Sequence, residues 1–328
     1  MPISLSIRRR DLLGAAALAP WLPSAHAAID YPARNVTLTV PFTPGQSGDI
    51  LARLLAEALT KHWGKSVIVD NRPGAGGALG SQTVMRAAPD GYTLLLSSSG
   101  PIAIAPHLIK NIGYDSQRDF TPIMNAAGVA QVLAVSGASP YKNAQDLIAA
   151  AKKAPGKLNY GSGGSGSTQH LTMELFKQRT GIELTHIPYK GSAPAYTDML
   201  GGQIDALFDS LPGVLPFIKG GQVRVLAVST AKRDPTLPDV PTLQESGVAG
   251  FDVLGWLGVM GPAGLDKGVR DRINESLKQV LAMPAVKDSM LKLGMQQVGG
   301  SPDDFAKYIA SELARWGDVI KTAGIKAE

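Results

Sequence analysis

The chain reads as an α/β protein built on mainly parallel, buried sheets, and three patterns lead to that reading. Apolar runs short enough to be strands alternate with stretches whose apolar residues recur at helical spacing. The strand-like runs are close to continuous, as expected where both faces of a sheet are covered. Glycine-rich turns fall where a strand gives way to a helix.

Val36-Thr37-Leu38-Thr39-Val40 is the first strand. Leu51, Leu54, Leu55, Ala58 and Leu59 then occupy one face of a 3.6-residue period, and Val67-Ile68-Val69 returns as a strand. A strand, a helix and a strand in that order imply a parallel pair. Further strands are expected at 93–96, 132–135, 158–160, 184–187, 204–208, 223–228 and 253–259. Toward the C-terminus the pattern becomes purely helical, with one stripe at Val269, Ile273, Leu277 and Val280 and another at Phe305, Ile309, Leu313, Trp316 and Ile320. Ser301-Pro302-Asp303-Asp304 opens the last helix with a hydroxyl N-cap, a proline at the first helical position and carboxylates at the positive end of the dipole. No tandem repeat and no linker rich in Ser, Pro or charge divides the chain, so any two lobes are expected to be joined by strands.

Composition narrows the function. A length of 328 residues suits two domains, and 44% hydrophobic content supplies their cores without staples. The absence of cysteine excludes disulfides, zinc-thiolate sites, cysteine nucleophiles and cysteine-ligated iron–sulfur clusters. Residues 1–27 read as an export signal: Arg8-Arg9-Arg10, an apolar run from Leu12 to Leu22, then Ala25-His26-Ala27 as a small-x-small cleavage site. Arg9-Arg10-Asp11-Leu12-Leu13 fits the twin-arginine type, with Gly14 where a lysine often follows. Cleavage before Ala28 would lower the formal charge from +5 to +3 by removing three arginines and Asp11. No later basic run interleaved with aromatics provides a nucleic-acid platform, and no later stretch is long and apolar enough to span a bilayer. The expected compartment is the periplasm.

Four glycine-bearing segments carry the functional signal: residues 41–49, 71–77, 161–168 and 189–192. Glycine lets backbone approach a ligand closely, and the N–H groups that begin the following helix attract an anion. Tight-turn chemistry alone explains any single one of them; four together favour a site. Gly161-Ser162-Gly163-Gly164-Ser165-Gly166 satisfies the dinucleotide pattern, with Glu183 at about the expected distance, but Glu183 precedes its strand and no hydride-transfer constellation accompanies it. Ser167 and His170 are close in sequence without a nucleophile elbow, and His62, His107, His170 and His186 show no metal-ligand spacing. The missing catalytic constellation favours a binder.

Tyr31-Pro32, Pro41-Phe42-x-Pro44-Gly45, Asp70-Asn71-Arg72-Pro73-Gly74-Ala75-Gly76-Gly77, Pro89-Asp90-Gly91-Tyr92-Thr93-Leu94, Asn159-Tyr160-Gly161-Ser162, His186-x-Pro188-Tyr189-Lys190-Gly191 and Leu237-Pro238-Asp239-Val240-Pro241-Thr242 closely resemble the Bug family of extracytoplasmic solute receptors, the binding subunits of tripartite tricarboxylate transporters. The resemblance runs from about Tyr31 to Ile325. It implies a two-lobed, type II-like periplasmic-binding-protein fold, with residues 28–125 plus 251–328 in lobe one, residues 126–250 in lobe two, and two crossover strands as the hinge. It further implies a small organic carboxylate as ligand, integral membrane subunits of a tripartite tricarboxylate transporter as partners, a monomer, and neither cofactor nor metal.

Carried over residue by residue, the likeness implies ligand contacts from Phe42, Thr43, Gly45, Ser47 and Asp49, from Ala75, Gly76 and Gly77, and from Ser162, Ser165, Ser167 and Thr168 on the opposing lobe. Tyr189, Lys190, Gly191 and Asp209 are further candidates. Lys190 has a second reading as a solvated lysine, Asp209 as a turn cap, and Asp49 as a loop or helix cap. Where many relatives carry a second glycine this chain has Gln46, which is either strained or aims its amide into the cleft. Trp256 and Phe208 are candidates to shape the pocket for an aromatic acid, or are core. Two other functions remain open on the sequence: a solute sensor that signals to a membrane kinase, and an exported hydrolase using Ser165 or Ser167.

Overall fold

The computed structural model describes Met1 and residues 31–325; the expected export signal and its cleavage site lie outside the described residues. The chain runs β1 (Val36–Val40), α1 (Ser47–Trp63), β2 (Val67–Asn71), α2 (Ala78–Met85), β3 (Thr93–Ser98), α3 (Ala105–Leu108) and β4 (Phe120–Ser136). It continues through α4 (Ala144–Lys153), β5 (Asn159–Ser162), α5 (Thr168–Thr180), β6 (Thr185–Pro188), α6 (Ser192–Leu200), β7 (Ala206–Ser210), α7 (Leu211–Lys219) and β8 (Val223–Val228). The last elements are β9 (Leu254–Pro262), α8 (Lys267–Ala282), α9 (Pro284–Lys292), β10 (Met295–Gly299) and α10 (Pro302–Ala323).

Among the described residues the strands follow the order β2-β1-β3-β9-β4-β7-β5-β6, with β8 and β10 also paired to β4. At one flank β2, β1 and β3 are parallel, and at the other so are β7, β5 and β6. Between them β4 runs antiparallel to β9, β10, β7 and β8. The sheet is therefore mixed, not mainly parallel as the helix-strand alternation implied. The reason is β4 itself, a strand of 17 residues that leaves one flank and enters the other, so that its neighbours meet it head to tail. Sequence pattern located only 132–135 of it, because Pro122, Asn125, Gly128 and Gln131 interrupt the apolar residues and read as breaks, leaving only the last apolar run as a strand. β10 was also unforeseen, being short and exposed on three of its residues.

The helices form where the periodicity placed them. Leu51, Leu55 and Leu59 of α1 are at most 3% exposed and pack with Val36 and Leu38 of β1 and with Ile273 and Leu277 of α8. Each such side chain contributes about 1.5–3 kcal/mol by leaving water. α1 stops at Gly64, whose φ of 66° is the left-handed C-cap. α10 begins with the expected capping box: Ser301 Oγ accepts from Asp304 N–H and Asp304 accepts from Ser301 N–H.

The stripe of α10 docks through a buried acid. Glu312 is 3% exposed, and its Oε2 accepts from the indole N–H of Trp256 on β9 at 3.2 Å and from that of Trp316 at 3.1 Å. Arg315 donates to its other oxygen at 3.2 Å. Removing the acid leaves two buried N–H donors unmet, each worth about 1–3 kcal/mol. Glu312→Ala is expected to lower unfolding stability in urea by about 2–5 kcal/mol, whereas Arg315→Ala, which breaks a half-exposed pair, costs about 1 kcal/mol or less. Equal losses would show that the charge pair, not the indole bonds, holds the helix.

Candidate functional site

The parallel strands of both flanks send their carboxyl ends toward one cavity of about 420 Å³, the position at which open α/β sheets bind ligands. One wall comes from the loops after β1, β2 and β3: Phe42, Gln46 and Ser47, then residues 73–77, then Ser98 and Gly100. The facing wall comes from the loops after β5, β6 and β7: Ser165, Ser167, Thr168 and Gln169, then residues 188–191, then Asp209 and Ser210. Val129 and Gln131 of β4 and Gly255, Trp256 and Leu257 of β9 form the floor.

Five helices start at this edge: α1, α2, α5, α6 and α7. Ser47, Gly77, Thr168, Gly191 and Ser210, which begin or immediately precede them, all line the cavity. Ser167 caps α5 by accepting from His170 N–H at 3.2 Å, but the other four starts have no side-chain cap. Their first N–H groups have no partner inside the helix, and the dipole of each presents partial positive charge. One helix end favours an anion by about 0.3–1 kcal/mol, up to about 2 when partly buried, so convergence is what makes the site.

The walls touch. Gly76 has φ 61°, and a Cβ there would lie 2.5 Å from the carbonyl oxygen of Ser165 on the opposite wall. Gly191 has φ 110°, and a Cβ there would meet Thr43 Oγ1 at 2.6 Å. Both positions require glycine for conformation and for space together. Gln46 adds a direct bond: its Nε2 donates to Ser192 Oγ at 2.8 Å, while its Oε1 accepts from Thr43 N–H and Oγ1–H, each at 3.1 Å. With φ −74° and ψ 160° Gln46 is extended and unstrained, so of the two sequence readings the amide in the cleft is the one observed.

Behind this contact lies a buried network. Gln169 Nε2 donates to Ser192 Oγ at 2.8 Å and to Asp209 Oδ1 at 2.7 Å, and its Oε1 accepts from Gly163 N–H at 2.8 Å. Asp209 also accepts from Ser210 N–H at 2.7 Å and from Tyr196 OH at 3.0 Å. Burial pushes the Asp209 carboxyl above its usual range, against the pull of these donors. Among the described residues no cation pairs with it, and hydrogen bonds hold the carboxyl.

The sequence-derived residues divide by position. Phe42, Gln46, Ser47, Ala75, Gly76, Gly77, Ser165, Ser167, Thr168, Tyr189, Lys190, Gly191 and Asp209 line the cavity, as does Trp256. Thr43 and Gly45 lie on the first loop outside the lining, Thr43 facing Gly191 of the opposite wall, and Asp49 and Ser162 are buried behind the lining. Asp49 accepts from Gly45 N–H at 2.9 Å, from Asn71 Nδ2 at 3.0 Å and from Arg53 Nε at 3.0 Å, tying the first loop to the second. Burial alone would raise its pKa, but Arg53 and the two donors outweigh that and hold it low. Phe208 lies in the core against Phe176 and Phe251. Sequence reasoning missed Gln131, Gln169 and Ser210. Gln131 had a signal, a lone amide inside the apolar run Val129-Ala130-Gln131-Val132-Leu133.

Ser162 Oγ and His186 Nε2 are 2.7 Å apart, which has the outline of a nucleophile and its base. The environment removes that chemistry. His186 stacks on His170 with centroids 4.1 Å apart and on Tyr160 at 4.8 Å. Burial, then the neighbouring His170 and Lys177, push its pKa from 6.5 down to about 3, too low for a base near neutrality. Ser162 is 2% exposed and instead closes the glycine loop, accepting from Gly164 N–H at 3.1 Å. Among the described residues no group of three or more His, Asp or Glu is placed to hold a metal ion.

The pair has a consequence for stability. The unfolded chain takes up a proton at His186 near pH 6.5, whereas the folded ring refuses it until about pH 3, so the unfolded state binds more protons in that window. Stability contributed at this position is therefore complete above pH 6.5 and is lost as pH falls toward 3. Urea titrations of wild type and His186→Phe across this range are expected to show the gap in stability narrowing, or reversing in favour of the variant, as pH drops. A constant gap would mean that the imidazole is not held neutral.

A family model described as the tripartite tricarboxylate transporter family receptor matches residues 51–325. Protein BugT of Bordetella pertussis is 38% identical over 301 residues, covering 92% of each chain. Among solved structures, Rpa4515 of R. palustris with adipate superposes with a TM-score of 0.88 at 39% identity, covering 91% of this chain and 100% of that one. The periplasmic binding protein BugD superposes at 0.87 and 37% identity with the same coverage. The match over most of the chain, the identity to BugT and the superpositions agree with one another, and the chain belongs to the tripartite tricarboxylate transporter receptor family, the Bug proteins, with their two-lobed periplasmic-binding-protein fold.

Proposed function

We propose that this protein is a periplasmic receptor that captures a small organic carboxylate between its lobes and delivers it, unaltered, to the membrane subunits of a tripartite tricarboxylate transporter. The observation that carries the reading is the five helix starts around one cavity, four without a side-chain cap. Such a cradle fits a carboxylate, and adipate in the Rpa4515 structure is a ligand of that class. Lys190 is the cation among the lining residues and is exposed, so backbone N–H groups and hydroxyls would do most of the binding. Capture without turnover agrees with a histidine whose pKa is about 3 beside a buried serine.

In this reading residues 1–27 direct export, and the lobes divide into 28–125 with 251–328 and 126–250. The walls meet when ligand is bound, and the monomer then presents the closed surface to its transporter. Among the described residues no helix is long and apolar enough to cross a membrane.

Thermal unfolding of the chain from residue 28 against mono-, di- and tricarboxylates, amino acids and aromatic acids tests the assignment. Ligand at about 100 times its Kd adds roughly 2.7 kcal/mol, which shifts the midpoint by several degrees. The expected outcome is a shift confined to one acid class, with the recovered acid chemically unchanged; silence across all acids, or a product, would overturn the proposal. Gln46→Ala, which removes the bond to Ser192, is expected to weaken that ligand by about 2–10-fold in calorimetry, as for one net hydrogen bond. Unchanged affinity would show that the contact plays no part in closure.

A further inference from the structure

The cavity floor holds a polar group that no part of the described protein uses. Gln131 lies on β4 opposite Ser210 of β7, between Ala130 and Val132, and is 3% exposed. Its backbone is fully engaged: the N–H donates to Ser229 Oγ at 3.0 Å and the carbonyl accepts from Ser229 N–H at 2.8 Å. Its side chain lines the cavity, and Oε1 is buried without a hydrogen-bond partner. The neighbouring strand makes room for it. A Cβ at Gly255 on β9 would lie 3.0 Å from Gln131 Nε2, so the amide occupies the space that a side chain there would take.

A buried acceptor left unmet is costly, and native proteins tolerate one mainly where something arrives to meet it. The surroundings specify what could arrive. Asp209 lines the same end of the cavity, and its oxygens are acceptors already held by Gln169, Ser210 and Tyr196. The donors on offer to a carboxylate are at the helix starts of the two walls; the Gln131 oxygen on the floor asks for a donor instead. A ligand that satisfies both carries a carboxylate and, a few bonds away, a hydroxyl or ammonium group.

We propose that Gln131 reads the ligand: its amide oxygen accepts a hydrogen bond from a hydroxyl or ammonium group on the bound carboxylate, so that the protein selects hydroxy- or aminocarboxylates over their unsubstituted counterparts. The assignment rests on the carboxylate-receptor reading above and adds the second recognition point. It also gives Gln131 a role that Gln46 does not have, since Gln46 joins the walls whereas Gln131 faces only the floor and the cavity.

Calorimetry with three matched sets tests it: succinate, malate and aspartate; adipate, 2-hydroxyadipate and 2-aminoadipate; phenylacetate, mandelate and phenylglycine. In whichever set binds, a substituted member is expected to bind at least about tenfold more tightly than the unsubstituted one, since a site built to pair with a polar group rejects an analogue that lacks it. Gln131→Met, close in shape and without the acceptor, is expected to reduce that preference below about threefold while leaving the unsubstituted acid within about threefold of wild type. Gln131→Glu keeps acceptor oxygens and adds charge, so it should retain the preference and move it toward the amino member. Equal affinities within a set in the wild type, or a preference that survives Gln131→Met, overturns the assignment while leaving the carboxylate receptor intact. Absence of heat with every acid in the wild type overturns the receptor reading and this assignment together.

Discussion

Both flanks of the sheet hang from β4. Its first half pairs with β9 and β10 and its second half with β7 and β8, so the backbone N–H and C=O groups of one strand commit it to both lobes at once. Irregular register against β9 lets it bend as it passes between them. Everything the cavity needs follows from that crossing. The parallel strands on either side keep a common direction, their carboxyl ends face one another, and the turns at those ends bring glycine backbones into contact. Ser229, which bonds Gln131 through both backbone groups and accepts nothing from the cavity, fixes the strand at the point where the floor lies.

The electrostatics of the cleft are those of partial charges. A guanidinium would bind a carboxylate through a single bidentate fork and would leave a full charge to be compensated in the empty cleft, whereas several helix starts at fixed positions spread the binding over partial charges and cost little when the cleft is empty. The buried Asp209 suits such a site. Held by the donors of Gln169, Tyr196 and Ser210, it orders the wall on which α5, α6 and α7 begin. Asp49 does the corresponding work on the other wall, with Arg53 to neutralise it. Two acids beside an anion site are thus supports for loops, one paired with a cation and one held by hydrogen-bond donors.

Histidine in this cleft is likewise structural. His170 Nδ1 accepts from Gly166 N–H at 3.2 Å and His186 holds Ser162, so the two stacked rings brace the glycine loop from beneath. Sequence pattern had placed Ser167 and His170 side by side, and their proximity is real, but it is the backbone N–H of His170 that meets Ser167. A helix cap and a catalytic pair share the same spacing along the chain and differ only in which atom faces the hydroxyl.

The amino-acid sequence by itself determined the element types at the flanks, the N-cap of α10, the glycine turns that become cavity walls, and the family. These are local properties: a period of 3.6, a proline after a serine, a glycine where φ must be positive, each decided by residues a few positions apart. Tertiary structure decided the rest. The antiparallel centre, the full length of β4 and the roles of Gln131 and Gln169 depend on pairings across 40 to 150 residues, as in the 146-residue separation of Gln46 and Ser192, and the burial of Asp49 and Ser162 behind the lining depends on partners in the neighbouring loop and strand. A strand's neighbours and an amide's partner are chosen by burial and hydrogen-bond satisfaction over the whole fold, and a single stretch of chain carries no record of either.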